Sequence, residues 1–278
     1  MAARTKRLRF GPLVYTLPLY EPLRLIEEIG MLDQMSNGRL DIGVGRGVVA
    51  FETAFFGLTH LDTPPRFQEA LAILREGLTS ERLTYDGRFW TYRDVPMEIP
   101  PVQQPHPPLW YGVGRPDQGK WTAEQQTNIV ANSEADAVAR IFAVYRDSWA
   151  GAHHGSPMTA KLGMARHMVI AEDSAEAERI AASAFNQWRA SLAKLQRDNG
   201  ADPIRFPQDY EEAKARGLTL VGSPAEVRAA LAAQIETSTA NYVLCRFAFG
   251  SLPTAAAKQS LDLFVRDIAP AFPGALAD

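Results

Sequence analysis

The run Gly43-Val44-Gly45-Arg46-Gly47 combines backbone freedom with a fixed cation. Glycines let the main chain approach a flat ligand closely. The guanidinium of Arg46 offers a planar fork of donors suited to phosphate. The spacing is not GxGxxG, so taken alone the run serves equally as a strand-to-loop turn with a surface arginine. Other reactive residue types are arranged less favourably. The five histidines, His60, His106, His153, His154 and His167, form no HExxH pair, and no carboxylate lies at ligand spacing from two of them, so no metal site is expected. His153-His154, between Gly151 and Gly155, reads as a solvated turn. There is no GxSxG elbow and no Walker loop. Cys245 is the single cysteine and lies in the apolar run Asn241 to Gly250, where it reads as a small buried core residue. One thiol allows neither an internal disulfide nor a thiolate metal site, which suits the reducing cytoplasm. No catalytic side chain is assigned by these patterns.

Composition narrows the partners. The 278 residues carry 29 Lys and Arg against 32 Asp and Glu, a net charge of −3, with no basic run, so a nucleic-acid surface is not expected. No apolar stretch approaches the roughly 18 residues of a membrane span, and MAARTKRLRF leads into a short strand rather than a signal-peptide core. A 46% hydrophobic share supports a packed core. The length suits one α/β domain over residues 1–278.

The elements that must position the glycine-rich run follow from period and punctuation. Leu8 to Leu17 reads as a strand. Pro22 opens a helix whose apolar face is Leu25, Ile26, Ile29, Leu32 and Met35, and Asn37-Gly38 closes it. Leu40 to Val44 is the strand that delivers Gly45-Arg46-Gly47. Thr63 is expected to cap the next helix, with Pro64 at its first position. Leu83 to Tyr92 reads as a hairpin turning at Asp86-Gly87. The six prolines between Val95 and Pro108 require an extended surface crossing, which leads to the strand Leu109 to Val113. Strands at Asn128 to Ala131, Ala165 to Ala171 and Asn241 to Phe249 alternate with helices at Ser133 to Trp149, from a capping box at Asp173 to Glu176, from a second at Ser223 to Glu226, and at Thr254 to Ile268. Asn199 to Gly217 reads as a polar excursion. The alternation implies parallel strands with right-handed crossovers. The fold class is therefore α/β, of the (β/α)8 TIM-barrel type. With six barrel-type strands it is incomplete, since eight close the barrel.

The run Leu17 to Gly57, and above all LDQMSNGRLDIGVGRG (Leu32 to Gly47), closely resembles the bacterial-luciferase-like, flavin-dependent monooxygenases. GRFWTYRDVPMEIPPVQQPHPPLW (Gly87 to Trp110) is similar to the family's hairpin and proline-rich crossing. LVGSPAEV (Leu220 to Val227), FAFGSLP and SLDLFVRDIAPAF resemble its later segments, so the likeness spans nearly the whole chain. The resemblance implies a barrel that binds reduced FMN at the carboxyl ends of its strands, lets it react with O2, and passes one oxygen atom to a small organic substrate. The cofactor does the difficult chemistry, while the protein holds the ring and excludes water.

By the same resemblance, Arg46 matches an arginine that contacts the flavin phosphate or the cofactor's nearby backbone. Gly45 matches a flavin-facing position that is cysteine in bacterial luciferase. Val48 matches a position whose backbone lies near the isoalloxazine. Leu13-Val14 matches a strand bulge, often with a non-proline cis peptide, that backs the ring. The turn Gly114-Arg115-Pro116-Asp117-Gln118 matches the phosphate-binding turn. Relatives usually supply hydroxyls there, and here Arg115 and Gln118 replace them. Trp110 and Tyr111 are candidates for the pocket wall or for the core. ARTKRLRFG resembles the run into the family's third strand, so the first two strand-helix units are expected to be missing and edge strands exposed for a partner chain to cover. The implied partners are a flavin reductase and, through the helix Leu23 to Met35, a second copy as a homodimer. A deazaflavin-dependent oxidoreductase of the same superfamily and a non-catalytic flavin-binding protein are the alternatives.

Overall fold

The computed structural model describes residues 1–153, 157–201, 206–272 and 274. The chain forms two compact units, Met1–Gly112 and Val113–Asp278.

In the first unit, β1 (Tyr15–Thr16) runs through a 3-10 turn into α1 (Pro22–Ser36), followed by β2 (Ile42–Gly45), the short α2 (Ala50–Ala54) and α3 (Thr63–Thr79). The hairpin β3 (Arg82–Asp86) and β4 (Thr91–Pro96) precedes β5 (Leu109–Val113), whose last residue begins the second unit. β2 lies between β1 and β5 in parallel, with Thr16 beside Gly45, Ile42 beside Leu109 and Gly43 beside Trp110. α1 buries Leu25, Ile26 and Ile29, each worth about 1.5–3 kcal/mol. It ends at Asn37, which adopts the left-handed conformation of a helix stop.

The expected strand from Leu8 is cut short. Phe10 makes a single parallel bridge to Leu40, the next bridge fails at Pro12 although its carbonyl still accepts from the Gly43 N–H at 2.9 Å, and ladder pairing resumes at Tyr15. Leu13-Val14, in the gap, is a non-proline cis peptide, as the family likeness implied. Thr63 does not cap α3. It is the first helical residue, and its hydroxyl donates to the His60 carbonyl at 3.3 Å, while Asp62 occupies the cap position and accepts from Thr59. Pro64 and Pro65 fill the first turn, where no helical N–H partner is needed.

Two carboxylates tie this unit together. Asp33 is buried and accepts from the Gln103 backbone at 2.9 Å and its side-chain amide at 2.7 Å, which pins the proline-rich crossing to α1. Glu69 of α3 accepts from the backbone N–H groups of Arg88, Phe89 and Trp90 at 3.1, 2.9 and 2.9 Å, which holds the hairpin turn.

The second unit continues with α4 (Pro116–Glu124), β6 (Asn128–Ala131), α5 (Ala135–Ala152), β7 (Leu162–Ile170), α6 (Ser174–Leu192), α7 (Lys194–Asp198), α8 (Tyr210–Ala215), β8 (Thr219–Gly222), α9 (Pro224–Ser238), β9 (Tyr242–Arg246) and α10 (Thr254–Leu263). A π turn over Phe264–Ile268 completes the expected last helix. β7 is buried along its whole length and pairs in parallel with β6, β8 and β9. Burial on both faces explains the apolar residues that flank Arg166-His167 along it. Met164, Met168 and Ile170 pack with Leu220, Val227, Leu231 and Leu263 on one face. Val169 and Ala171 pack with Ala177, Ala181 and Phe185 on the other.

Ser223 and Glu226 form the expected capping box, and Pro224 is the first residue of α9. Asp173 caps α6 by accepting from Ala175 at 2.8 Å, but the reciprocal Glu176 bond is not formed among the described residues. β8 was not anticipated from sequence. Four residues ahead of a proline-started helix carry too little alternation to separate a strand from a loop. His153 is not a solvated turn residue. It ends α5 half-buried, its ring 4.3 Å from Trp149 and its Nε2 2.9 Å from the Ala123 carbonyl oxygen. His154 lies outside the described residues, as does Pro203 in the polar excursion, whose residues Tyr210–Ala215 form α8.

Candidate flavin site

Sequence dictates the geometry at the ends of β1 and β2. A Cβ on Gly43 would stand 2.5 Å from the Pro12 carbonyl oxygen and 2.9 Å from Leu13 Cα, and one on Gly45 would stand 2.5 Å from Val14 Cγ2. Gly43 admits only glycine, because the Pro12–Leu13 backbone passes directly over β2, whereas at Gly45 the obstacle is the Val14 side chain. Leu13, Val14 and Gly45 are therefore brought together as expected. The bulge turns apolar side chains outward: Leu13 is 48% exposed and Val14 39%. Past the tip of β2, Val48 is 81% exposed. Gly47 has φ +82°, a conformation natural to glycine, and sits against the methyls of Thr16 and Thr53.

Arg46 is exposed at this tip and has no hydrogen-bond or ion-pair partner among the described residues. The other arginines near β2 are engaged. Arg9 pairs with Asp41 at 3.1 Å, and Arg39 donates to the carbonyls of Ala2, Thr5 and Ser36. The tip thus offers an apolar, backbone-rich surface beside one uncommitted cation. That combination fits an aromatic ring system bearing an anionic tail.

Trp110, on β5 beside Gly43, is only 6% exposed. The neighbouring Tyr111 packs its ring 5.7 Å from Phe67. On β1, the Tyr15 hydroxyl is pushed above its ordinary range by burial and then by the nearby negative charge of Glu28.

In the second unit, the turn before α4 is arranged differently from the expectation. The Gln118 side-chain oxygen accepts from the N–H groups of Gly114 at 2.8 Å and Arg115 at 3.1 Å. The Arg115 guanidinium pairs with Asp117 at 2.9 Å, both exposed. The donors a phosphate would use at this turn thus already serve as the helix's own cap. Arg115 holds the Asp117 carboxyl below its usual range, chiefly through their hydrogen bond.

Sequence reasoning missed a polar group inside the second sheet: Arg166 and His167 on β7, with Arg246 on β9, in runs otherwise read as apolar strand. Their charge inside a buried run was the available signal. Among the described residues, no cluster of His, Cys, Asp or Glu could hold a metal ion, and no helix is long and apolar enough to cross a membrane.

Comparison with known proteins bears on this arrangement. The family model described as luciferase-like monooxygenase matches residues 1–241. The chain is 36% identical over 255 residues to the uncharacterized protein y4wF of Sinorhizobium fredii, an alignment covering 91% of this chain and 74% of that one. It is 30% identical to the oxygenase component of the flavin-dependent trigonelline monooxygenase of Acinetobacter baylyi, over 46% of this chain and 36% of that protein. Among solved structures, the monooxygenase RslO1 of Streptomyces bottropensis superposes with a TM-score of 0.82 at 25% identity, covering 97% of this chain and 80% of the other. The oxygenating constituent of 3,6-diketocamphane monooxygenase of Pseudomonas putida, solved with FMN, gives 0.78 at 22% identity over 97% of this chain and 81% of that one. A coenzyme F420-dependent reductase of Methanopyrus kandleri gives 0.66 at 17% over 98% and 85%. These last two likenesses speak to the fold alone. The parallel α/β class of the TIM-barrel type, read from strand-helix alternation, is the class of these neighbours.

Proposed function

Because the chain belongs to the luciferase-like monooxygenase family, we propose that it is a flavin-dependent monooxygenase that uses reduced FMN and O2 to oxygenate a small organic substrate. The observation that carries this reading is the tip of β1 and β2, where exposed Leu13, Val14 and Val48 adjoin the uncommitted Arg46. Leu13, Val14 and Val48 would back the flavin ring, and Arg46 would take its phosphate. Gly45 places no thiol against the ring, so the protein contributes binding and water exclusion here rather than a nucleophile. When bound, reduced flavin supplies the oxygen activation that no side chain can.

In the second unit, taken by itself, Gly114, Arg115 and Gln118 are proposed as anion-binding residues. Gln118 must then release the two N–H groups it now caps, and Arg115 must exchange Asp117 for the ligand. Trp110 lines the substrate pocket. Electrons come from a separate flavin reductase, and the protein works as a homodimer in the cytoplasm.

The test is anaerobic titration with reduced FMN and, in parallel, with reduced deazaflavin, followed by admission of O2. Tight FMN binding with O2 consumption supports the proposal. Preference for deazaflavin with hydride transfer and no O2 uptake would replace it with the oxidoreductase reading. Tight flavin binding without turnover on any aldehyde, ketone or alkene offered would leave a flavin carrier.

A further inference from the structure

A polar row crosses the second unit's sheet where its sequence is otherwise apolar. His167 of β7 is paired in register with Thr219 of β8 on one edge and with Arg246 of β9 on the other. Residues in register on parallel strands point to the same face, and neighbouring strands lie about 4.8 Å apart. The three side chains therefore stand side by side with the imidazole in the middle.

Each has a buried polar atom without a hydrogen-bond partner: Thr219 Oγ1, His167 Nε2 and Arg246 Nη1. His167 is 2% exposed and Thr219 is nearly as buried. Buried polar atoms are almost always paired and a lone unpaired one destabilises the fold, so three in one row mark a place built for a partner. No described carboxylate lies within ion-pair distance of Arg246. Arg246 is half-buried, with its Nη1 shielded from solvent and no counter-charge beside it.

The chemistry of the missing partner follows. Two of the groups, the Thr219 hydroxyl and the Arg246 guanidinium, donate. The imidazole, surrounded by rings, is held neutral by burial and by the Arg246 charge, and its unpaired Nε2 can carry the ring hydrogen and donate. The walls are apolar: the His167 ring packs edge-on to Trp188 and Phe249 at 4.6 Å each. Arg166, one residue earlier, points to the opposite face, where Gln234 at 2.6 Å and the Ala165 carbonyl at 2.8 Å hold it with its Nη2 left unpaired, so it lies outside the row.

We propose that Thr219, His167 and Arg246 form a binding site for the carboxylate of a small organic acid, whose apolar body lies against Trp188 and Phe249. The site is confined to the second unit and does not depend on the flavin reading.

The experiment is calorimetric titration of the full chain with benzoate, acetate, inorganic phosphate and benzyl alcohol. Benzoate should bind saturably at one site, acetate more weakly for want of an apolar body, and benzyl alcohol at least about tenfold more weakly for want of charge. Arg246→Gln should weaken benzoate about tenfold or more, and Thr219→Val severalfold, while Arg46→Ala should leave benzoate binding unchanged. Benzyl alcohol binding as well as benzoate, phosphate outcompeting benzoate, or no saturable benzoate binding would each overturn the proposal. Should Arg246→Gln fail to fold, the His167 imidazole nitrogen resonances of the unaltered chain decide. Benzoate must move them, and invariance at saturating benzoate would equally refute the site.

Discussion

The tip of β1 and β2 and the row across β7, β8 and β9 are opposite solutions to placing an arginine. At the tip, Arg46 stands in solvent beside exposed apolar side chains, and close glycine packing shapes the surface. In the row, Arg246 lies beside a buried imidazole, with apolar rings around it and donors left over. An exposed cation costs the fold nothing and is available to a ligand. A half-buried one whose shielded nitrogen has no acceptor burdens the fold until a partner meets it. Stability measurements should therefore separate the two regions even before any ligand is known.

The largest effect is expected where backbone meets backbone. Gly43→Val drives a side chain into Pro12 and Leu13, and neither can yield without moving the bulge. It should cost more than about 3 kcal/mol in denaturant unfolding and abolish flavin binding. Gly112→Ala on β5, where a Cβ meets nothing within 4 Å, is the control and should shift stability by less than about 0.5–1 kcal/mol. Comparable losses in both would remove the close-packing account of the tip.

Next comes Glu69→Ala, which leaves three backbone N–H groups of the hairpin turn without their acceptor. A loss of about 2–4 kcal/mol is expected, read as a lower denaturant midpoint at unchanged m-value.

The row predicts a pH signature. Burial first, and then the Arg246 charge, push the His167 imidazole down to about 3. The unfolded chain, with an ordinary histidine near 6.5, binds the proton that the folded chain refuses. His167's contribution is fully present above about pH 6.5 and is lost progressively as pH falls toward about 3. The slope should approach about 1.4 kcal/mol per pH unit between those limits. His167→Phe should flatten that part of the profile, and an unchanged slope would contradict the neutral, buried imidazole.

The smallest effect concerns Cys245, whose thiol is pushed up to about 12 by burial. Alkylation by iodoacetamide at pH 8 should be far slower in the folded chain than in denaturant. Equal rates would mean an exposed thiolate.

These contrasts mirror what the sequence disclosed. The helix Pro22–Ser36 was legible because its apolar spacing and the Asn37-Gly38 stop agree, and α9 because Ser223, Pro224 and Glu226 each carry a local signal. At the tip, the strand Leu40 to Val44 and its glycine-rich end were legible from the apolar run and its punctuation, but the run alone left a plain turn open and only the family likeness pointed to a ligand. The break at Gly11-Pro12 was less so, since the ladder fails there for want of a donor at Pro12 rather than of apolar residues. Thr63 misled because Asp62 one residue earlier competes for the cap, and the prolines move the first turn. Of the row, sequence showed only charge inside apolar runs and not the juxtaposition, because His167, Thr219 and Arg246 are distant in sequence and meet only through strand pairing.

The central claim is that Arg46 at the tip of β2 holds the phosphate of a flavin whose ring rests on Leu13, Val14 and Val48. It is tested most directly by measuring the affinities of FMN and riboflavin, which differ by that phosphate, for the unaltered chain and for Arg46→Ala. The account predicts that the unaltered chain prefers FMN and that Arg46→Ala lowers FMN affinity by about 1.5–3 kcal/mol, with riboflavin affinity and folding stability unchanged. Equal preference for FMN in both proteins would contradict it.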